Sequence, residues 1–120
     1  MKKILLAEDN SANRLLVGRI ISSLGYIAIC ASDGNKALHT LEDNPDILCV
    51  LSDCQMPELD GIGLMQEIRR RKGDTFPVLL YSSYLSVKEL GTLIQKGATA
   101  VLHYPLTPSQ LEEYIKRYIE

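Results

Sequence analysis

Three carboxylates stand where short apolar runs end. The run Ile4–Ala7 leads into Glu8 and Asp9, and Ile47–Ser52 leads into Asp53. Brought close together, such groups repel one another and raise each other's pKa values. A hard divalent cation resolves that conflict. Mg2+ takes one or two carboxylates, several waters and a phosphate oxygen in an octahedron. A carboxylate is also a nucleophile toward phosphorus, giving an acyl phosphate. Hydroxyl and backbone N–H donors would then hold the remaining oxygens. Ser82, just after the run Val78–Tyr81, is placed to give one such bond. Taken singly, these residues read as well as helix caps, loop surface or a plain strand end. The chemistry requires a fold that gathers them.

The elements that must do so alternate along the chain. The apolar runs are Ile4–Ala7, Tyr26–Cys30, Ile47–Ser52, Val78–Tyr81 and Ala100–His103. Each is short, continuous and rich in branched residues, as strands are when helices cover both faces of a parallel sheet. Between them lie amphipathic stretches. The first places Leu16, Ile20 and Leu24 at a spacing of four, with Gly25 as a stop. The second runs roughly from Asp33 to Asp43, with Ala37, Leu38 and Leu41 on one face. The third carries Leu64, Met65 and Ile68 and ends in Arg69-Arg70-Arg71-Lys72 before Gly73. Cations there suit the negative end of the helix dipole, so the run reads as a solvated helix end. The fourth opens on the capping box Ser86-Val87-Lys88-Glu89, continues with Leu90, Leu93 and Ile94, and stops at Gly97. The fifth opens on Thr107-Pro108-Ser109-Gln110 and bears a stripe of Leu111, Tyr114, Ile115, Tyr118 and Ile119.

Five strands alternating with five helices predict an open α/β fold of three layers. The expected sheet is parallel, in the flavodoxin-like order 2-1-3-4-5, with its site beyond the carboxyl ends of the strands at the switch point. Strands one and three are neighbours in that order, so Glu8, Asp9 and Asp53 would converge in one crevice.

The 120 residues are 46% hydrophobic and 23% charged, with a net charge of −2. That is enough for one ordinary core, and no linker or repeat divides the chain, so one domain is expected over residues 1–120. So mixed a charge balance gives no reason to expect nucleic acid as a direct partner. No run approaches membrane-spanning length, and acidic residues end the first apolar run too early for a signal peptide. A cytoplasmic chain is expected, with Cys30, Cys49 and Cys54 as reduced thiols.

A wider pattern now stands out. Ile4-Leu5-Leu6-Ala7-Glu8-Asp9-Asn10, then Asp53-Cys54-Gln55-Met56-Pro57 with Asp60-Gly61, resembles the response-regulator receiver family of two-component signalling. The likeness extends to Pro77-Val78-Leu79-Leu80-Tyr81-Ser82-Ser83 and to Gly97-Ala98. It implies that Asp53 is the phosphoacceptor and that Ser82 is the switch hydroxyl. It implies Mg2+ held by Glu8, Asp9, Asp53 and the backbone carbonyl of Gln55. It implies a histidine kinase or phosphotransfer protein as phosphoryl donor, and an output partner on the face of the fourth helix, fifth strand and fifth helix. The wording around Asn10, Asn13 and Asp53 looks most like receivers attached to hybrid histidine kinases, so the chain could be one piece of a longer protein.

Two positions depart from the family pattern. Tyr104 stands before Pro105 where the family has a lysine, and Val101 stands at the aromatic switch position. Lys88 and Lys96 belong to the fourth helix and do not replace that lysine. Tyr81 and Tyr84 read as core or rim, and His39 and His103 as non-catalytic. The departures leave open an alternative: a pseudo-receiver that docks partners without phosphorylation. An enzyme or flavoprotein of the same architecture fits less well. Glu8-Asp9 would repel a phosphate cradled after strand one, and Gln55 stands where an aspartyl phosphatase wants a second acid.

Overall fold

The computed structural model describes residues 2–56 and 58–119. Five strands and five helices alternate: β1 (Lys3–Ala7), α1 (Ser11–Ser23), β2 (Ile27–Ala31), α2 (Gly34–Asp43), β3 (Ile47–Asp53), α3 (Gly61–Lys72), β4 (Val78–Ser82), α4 (Val87–Lys96), β5 (Ala100–His103) and α5 (Pro108–Tyr118). The sheet is parallel, in the order β2-β1-β3-β4-β5. This is the expected α/β flavodoxin-like architecture. Asp53 is the last residue of β3, which runs one position beyond the end that the apolar run Ile47–Ser52 suggested.

Side chains alternate across each strand, so one sheet feeds two cores. Leu5, Val50 and Leu80 face α2, α3 and α4, where they meet Ala37, Leu38, Leu41, Leu64, Met65 and Ile68. Ile4, Leu6, Leu51 and Leu79 face α1 and α5, where they meet Val17, Ile21, Leu111 and Ile115. Being covered on both sides is why the strand sequences are continuous apolar runs.

Every described helix starts on a capping side chain, namely Asn10, Asp33, Asp60, Ser86 and Thr107. The Ser86 box is reciprocal. Its Oγ accepts from the Glu89 N–H at 3.1 Å and donates to the Glu89 carboxylate at 3.1 Å.

Three expectations need correction. Leu16, expected on the core stripe of α1, is 51% exposed, and Val17 is buried instead. Ile94 of α4 is 46% exposed, leaving Leu93 as that helix's buried anchor. The basic end of α3 is also more than a solvated tip. Arg69 is half-buried and donates to the carbonyls of Gly97 (2.8 Å), Gly73 (3.0 Å) and Phe76 (2.6 Å), and to Thr99 Oγ1 (3.2 Å). Arg71 pairs with Glu67 on its own helix and with Glu42 on α2.

Candidate phosphoacceptor and metal site

β1 and β3 are hydrogen-bonded neighbours, with Ala7 opposite Ser52. Their carboxyl ends therefore deliver Glu8, Asp9 and Asp53 to one place. One oxygen from each carboxylate can be chosen so that all three lie within 4.8 Å of one another. Glu8 is 0% exposed, Asp53 is half-buried and Asp9 is open to solvent. Burial raises the pKa of Glu8. Bonds from the Tyr81 hydroxyl and the Asn10 N–H oppose that rise, while the charge of Asp53 adds to it. Burial likewise raises Asp53; the Gln55 N–H opposes and the charge of Asp9 adds. Among the described residues, no ion pair involves any of the three. Arg14 lies close, but its Nη1 donates to the backbone carbonyls of Glu8 (2.9 Å) and Asp9 (3.4 Å). An all-oxygen, acidic set without a protein cation is the donor chemistry that suits Mg2+.

The other expected site residues border this cluster. Ser82 ends β4 and is buried. Its Oγ accepts from the Tyr84 N–H at 3.2 Å, and a hydroxyl that accepts still has its own proton to give. Gln55 lies in the loop after β3, where its N–H donates to Asp53 Oδ1 at 3.1 Å. Tyr104 follows β5, and its hydroxyl donates to Asn13 Oδ1 at 2.8 Å instead of turning to the acids. A small cavity of about 30 Å³ has Glu8, Asp53, Tyr81, Ser82 and Tyr104 among its walls. His39 and His103 are exposed and Val101 packs against the α2–α3–α4 core.

The loop between β3 and α3 is held by close backbone contacts. Gly61 N–H donates to the Cys54 carbonyl at 3.1 Å, and a Cβ on Gly61 would lie 2.1 Å from the Asp53 carbonyl oxygen. Only glycine fits there, which explains the Asp60-Gly61 pair: Asp60 caps α3 and Gly61 lets it press on the strand end. Pro57 of the same motif lies outside the described residues.

Sequence reasoning missed Tyr81, taken there as core or rim. It is 1% exposed, yet its hydroxyl donates to Glu8 Oε1 at 2.7 Å. A signal existed. Tyr81 is the register partner of Asp53, and side-by-side residues of a parallel sheet share a face.

Residues 4–116 match the family model of the response regulator receiver domain. The chain is 36% identical over 117 residues to the sensor histidine kinase RcsC of Salmonella typhi, covering 98% of this chain and 12% of that protein. It is 33% identical over 116 residues to the probable transcriptional regulator ycf27 of Guillardia theta, covering 96% of this chain and 44% of that protein. The chain thus spans less than half the length of these curated relatives. Among solved structures, it resembles the receiver domain of a sensor histidine kinase from Pseudomonas aeruginosa PAO1, which has a magnesium ion coordinated in its active site cleft. That match has a TM-score of 0.87 at 28% identity and covers 98% of this chain and 97% of the other. The chemotaxis protein CheY4 of Vibrio cholerae matches with a TM-score of 0.89 at 25% identity, covering 98% of each chain. With the acidic cluster at the carboxyl ends of β1 and β3 and the family match over nearly its whole length, the chain belongs to the response regulator receiver domain family of two-component signalling.

Proposed function

We propose that this receiver accepts a phosphoryl group on Asp53 from a phosphohistidine of a histidine kinase or phosphotransfer protein. The observation that carries the reading is the gathering of Glu8, Asp9 and Asp53 oxygens within 4.8 Å. Mg2+ would be held there by those three carboxylates and the Gln55 backbone carbonyl, and would neutralise charge on the phosphoryl oxygens. An Asp53 oxygen attacks phosphorus in line with the donor nitrogen. The P–N bond breaks, its electron pair stays on the donor imidazole, and Asp53 becomes an acyl phosphate. Ser82 would donate a hydrogen bond from its hydroxyl to a phosphoryl oxygen, keeping its proton. Tyr104 brings no charge, so the phosphoryl group meets no fixed side-chain cation from β5. Asp53 acts as an acceptor that signals; the chain is not an enzyme working on a separate substrate. Output passes through a protein partner on the α4–β5–α5 face, without direct nucleic-acid or membrane contact.

No helix among the described residues is long and apolar enough to cross a membrane. We place the chain, as one receiver unit over residues 1–120, in the cytoplasm. The test is intact mass after incubation with acetyl phosphate and Mg2+. The wild type should gain one phosphoryl group and Asp53→Asn should gain none. A second reading, docking without phosphorylation, is favoured by the Tyr104–Asn13 bond that replaces a cation. It predicts no labelling of the wild type and no amide shifts with BeF3− and Mg2+.

A further inference from the structure

Both oxygens of Glu8 are engaged, and the contacts close on themselves. Oε2 accepts from the Asn10 N–H at 3.0 Å. The Asn10 side chain accepts from the Asn13 N–H at 2.9 Å, capping α1. The Asn13 side chain accepts from the Tyr104 hydroxyl at 2.8 Å. The Tyr104 ring stacks on Tyr81, with centroids 5.7 Å apart and planes at 28°. The Tyr81 hydroxyl then donates to Glu8 Oε1 at 2.7 Å. Four elements of the site (the ends of β1, β4 and β5 and the start of α1) are thus joined around one buried carboxylate.

A free glutamate side chain has three rotatable bonds and samples many directions. Here two donors from different elements fix its plane, and the aromatic stack fixes the donor. Outer-sphere bonds of this kind orient metal-ligating carboxylates and tune their affinity. We infer that Tyr81 is a positioning residue for the divalent-cation site, holding Glu8 toward Asp9 and Asp53, with Tyr104 as its buttress. The inference rests on the reading of the three acids as a Mg2+ site. It gives the tyrosine at position 104 a task of its own, in place of a lysine's charge.

The test is Mg2+ titration of the wild type, Tyr81→Phe and Tyr104→Phe by calorimetry, with melting in EDTA recorded for each. Tyr81→Phe keeps the ring and removes one hydroxyl. It should weaken Mg2+ binding roughly tenfold or more, beyond anything its melting temperature in EDTA explains. Tyr104→Phe keeps the stack and should lose less. The chain has six tyrosines and no tryptophan, so its near-ultraviolet absorption is a tyrosine signal. Mg2+ should perturb that signal in the wild type and in Tyr104→Phe. If Tyr81→Phe does not fold, this spectrum decides, and an unperturbed wild type overturns the inference. Unchanged affinity in folded Tyr81→Phe, with a wild type that binds, overturns the role of Tyr81 and leaves the acids' role standing. A wild type that binds no Mg2+ overturns both.

Discussion

Tyr104 offers the acid pocket a ring and a hydroxyl but no charge, and that hydroxyl is turned to Asn13. On the proposed function, a lysine there would face the phosphoryl group carried by Asp53. A unit-charge contact at 4 Å is worth about 4 kcal/mol gross at an effective dielectric near 20, much of it offset by solvent and metal. Tyr104→Lys should therefore strengthen the phosphorylated-state response, read as amide shifts with BeF3− and Mg2+. The same change removes an aromatic stack of about 1 kcal/mol and a hydrogen bond of about 1 kcal/mol, so the substituted protein should melt lower in EDTA. A wild type that labels well beside a Tyr104→Lys response that does not grow would show that charge is not limiting. The cysteines make a separate prediction. Burial pushes the thiols of Cys49 and Cys54 up to about 12, whereas Cys30 is exposed. At pH 8 the two buried thiols hold about one part in ten thousand as thiolate. A thiol reagent should consume one equivalent on the native chain, at Cys30, and all three after unfolding.

The elements were legible wherever burial alone decides the pattern. β3, covered on both faces, reads as an unbroken apolar run, and its neighbours follow from the same rule. α1 shows where a spacing misleads. The series Leu16, Ile20, Leu24 advances 400° per step and drifts around the helix by about 40° each time. The buried set is Val17, Ile20 and Ile21 with Leu24 partly covered, the i, i+3, i+4, i+7 stripe of a packed helix. The acids were legible because strand ends and strand order place them. The Tyr81–Glu8 bond joins residues 73 positions apart, and the Tyr104–Asn13 bond joins residues 91 apart. Which way each ring turns depends on packing that no local pattern encodes. Arg69 escaped for the same reason: it sits in a basic run but ties α3 to the Gly97 turn and to the approach of β4. Arg69→Ala should cost about 3 kcal/mol in urea unfolding, because it leaves several carbonyls short of a charged donor. Arg69→Lys should restore little of it, since one ammonium cannot span three carbonyls.

At the scale of the molecule, the acid cluster sets folding against the proposed function. Glu8 and Asp53 have raised pKa values in the folded state, so that state binds protons more readily than the unfolded chain. Their contribution to stability is then greatest below the ordinary carboxylate values of 4.5 and 3.8, and is lost as pH rises through the raised ones. In EDTA, this term should make the folded chain less stable at neutral pH than its burial of apolar surface alone would allow. A cation bound only by the folded state reverses the effect. At a hundred times its dissociation constant it adds about 2.7 kcal/mol. For a domain of this size that is on the order of 10 °C in melting temperature. The stabilisation should grow as pH rises, because the ion binds the ionised acids and protons compete with it. Asp53→Asn gives the opposite pair of shifts. Removing one like charge should raise the melting temperature in EDTA, and removing one ligand should shrink the gain from Mg2+. The control is NaCl at matched ionic strength, which screens the exposed charges, Asp9 among them, without the ligand geometry of a divalent ion. Equal melting of the wild type in EDTA and in Mg2+ at neutral pH would mean that the three acids fold together without holding an ion.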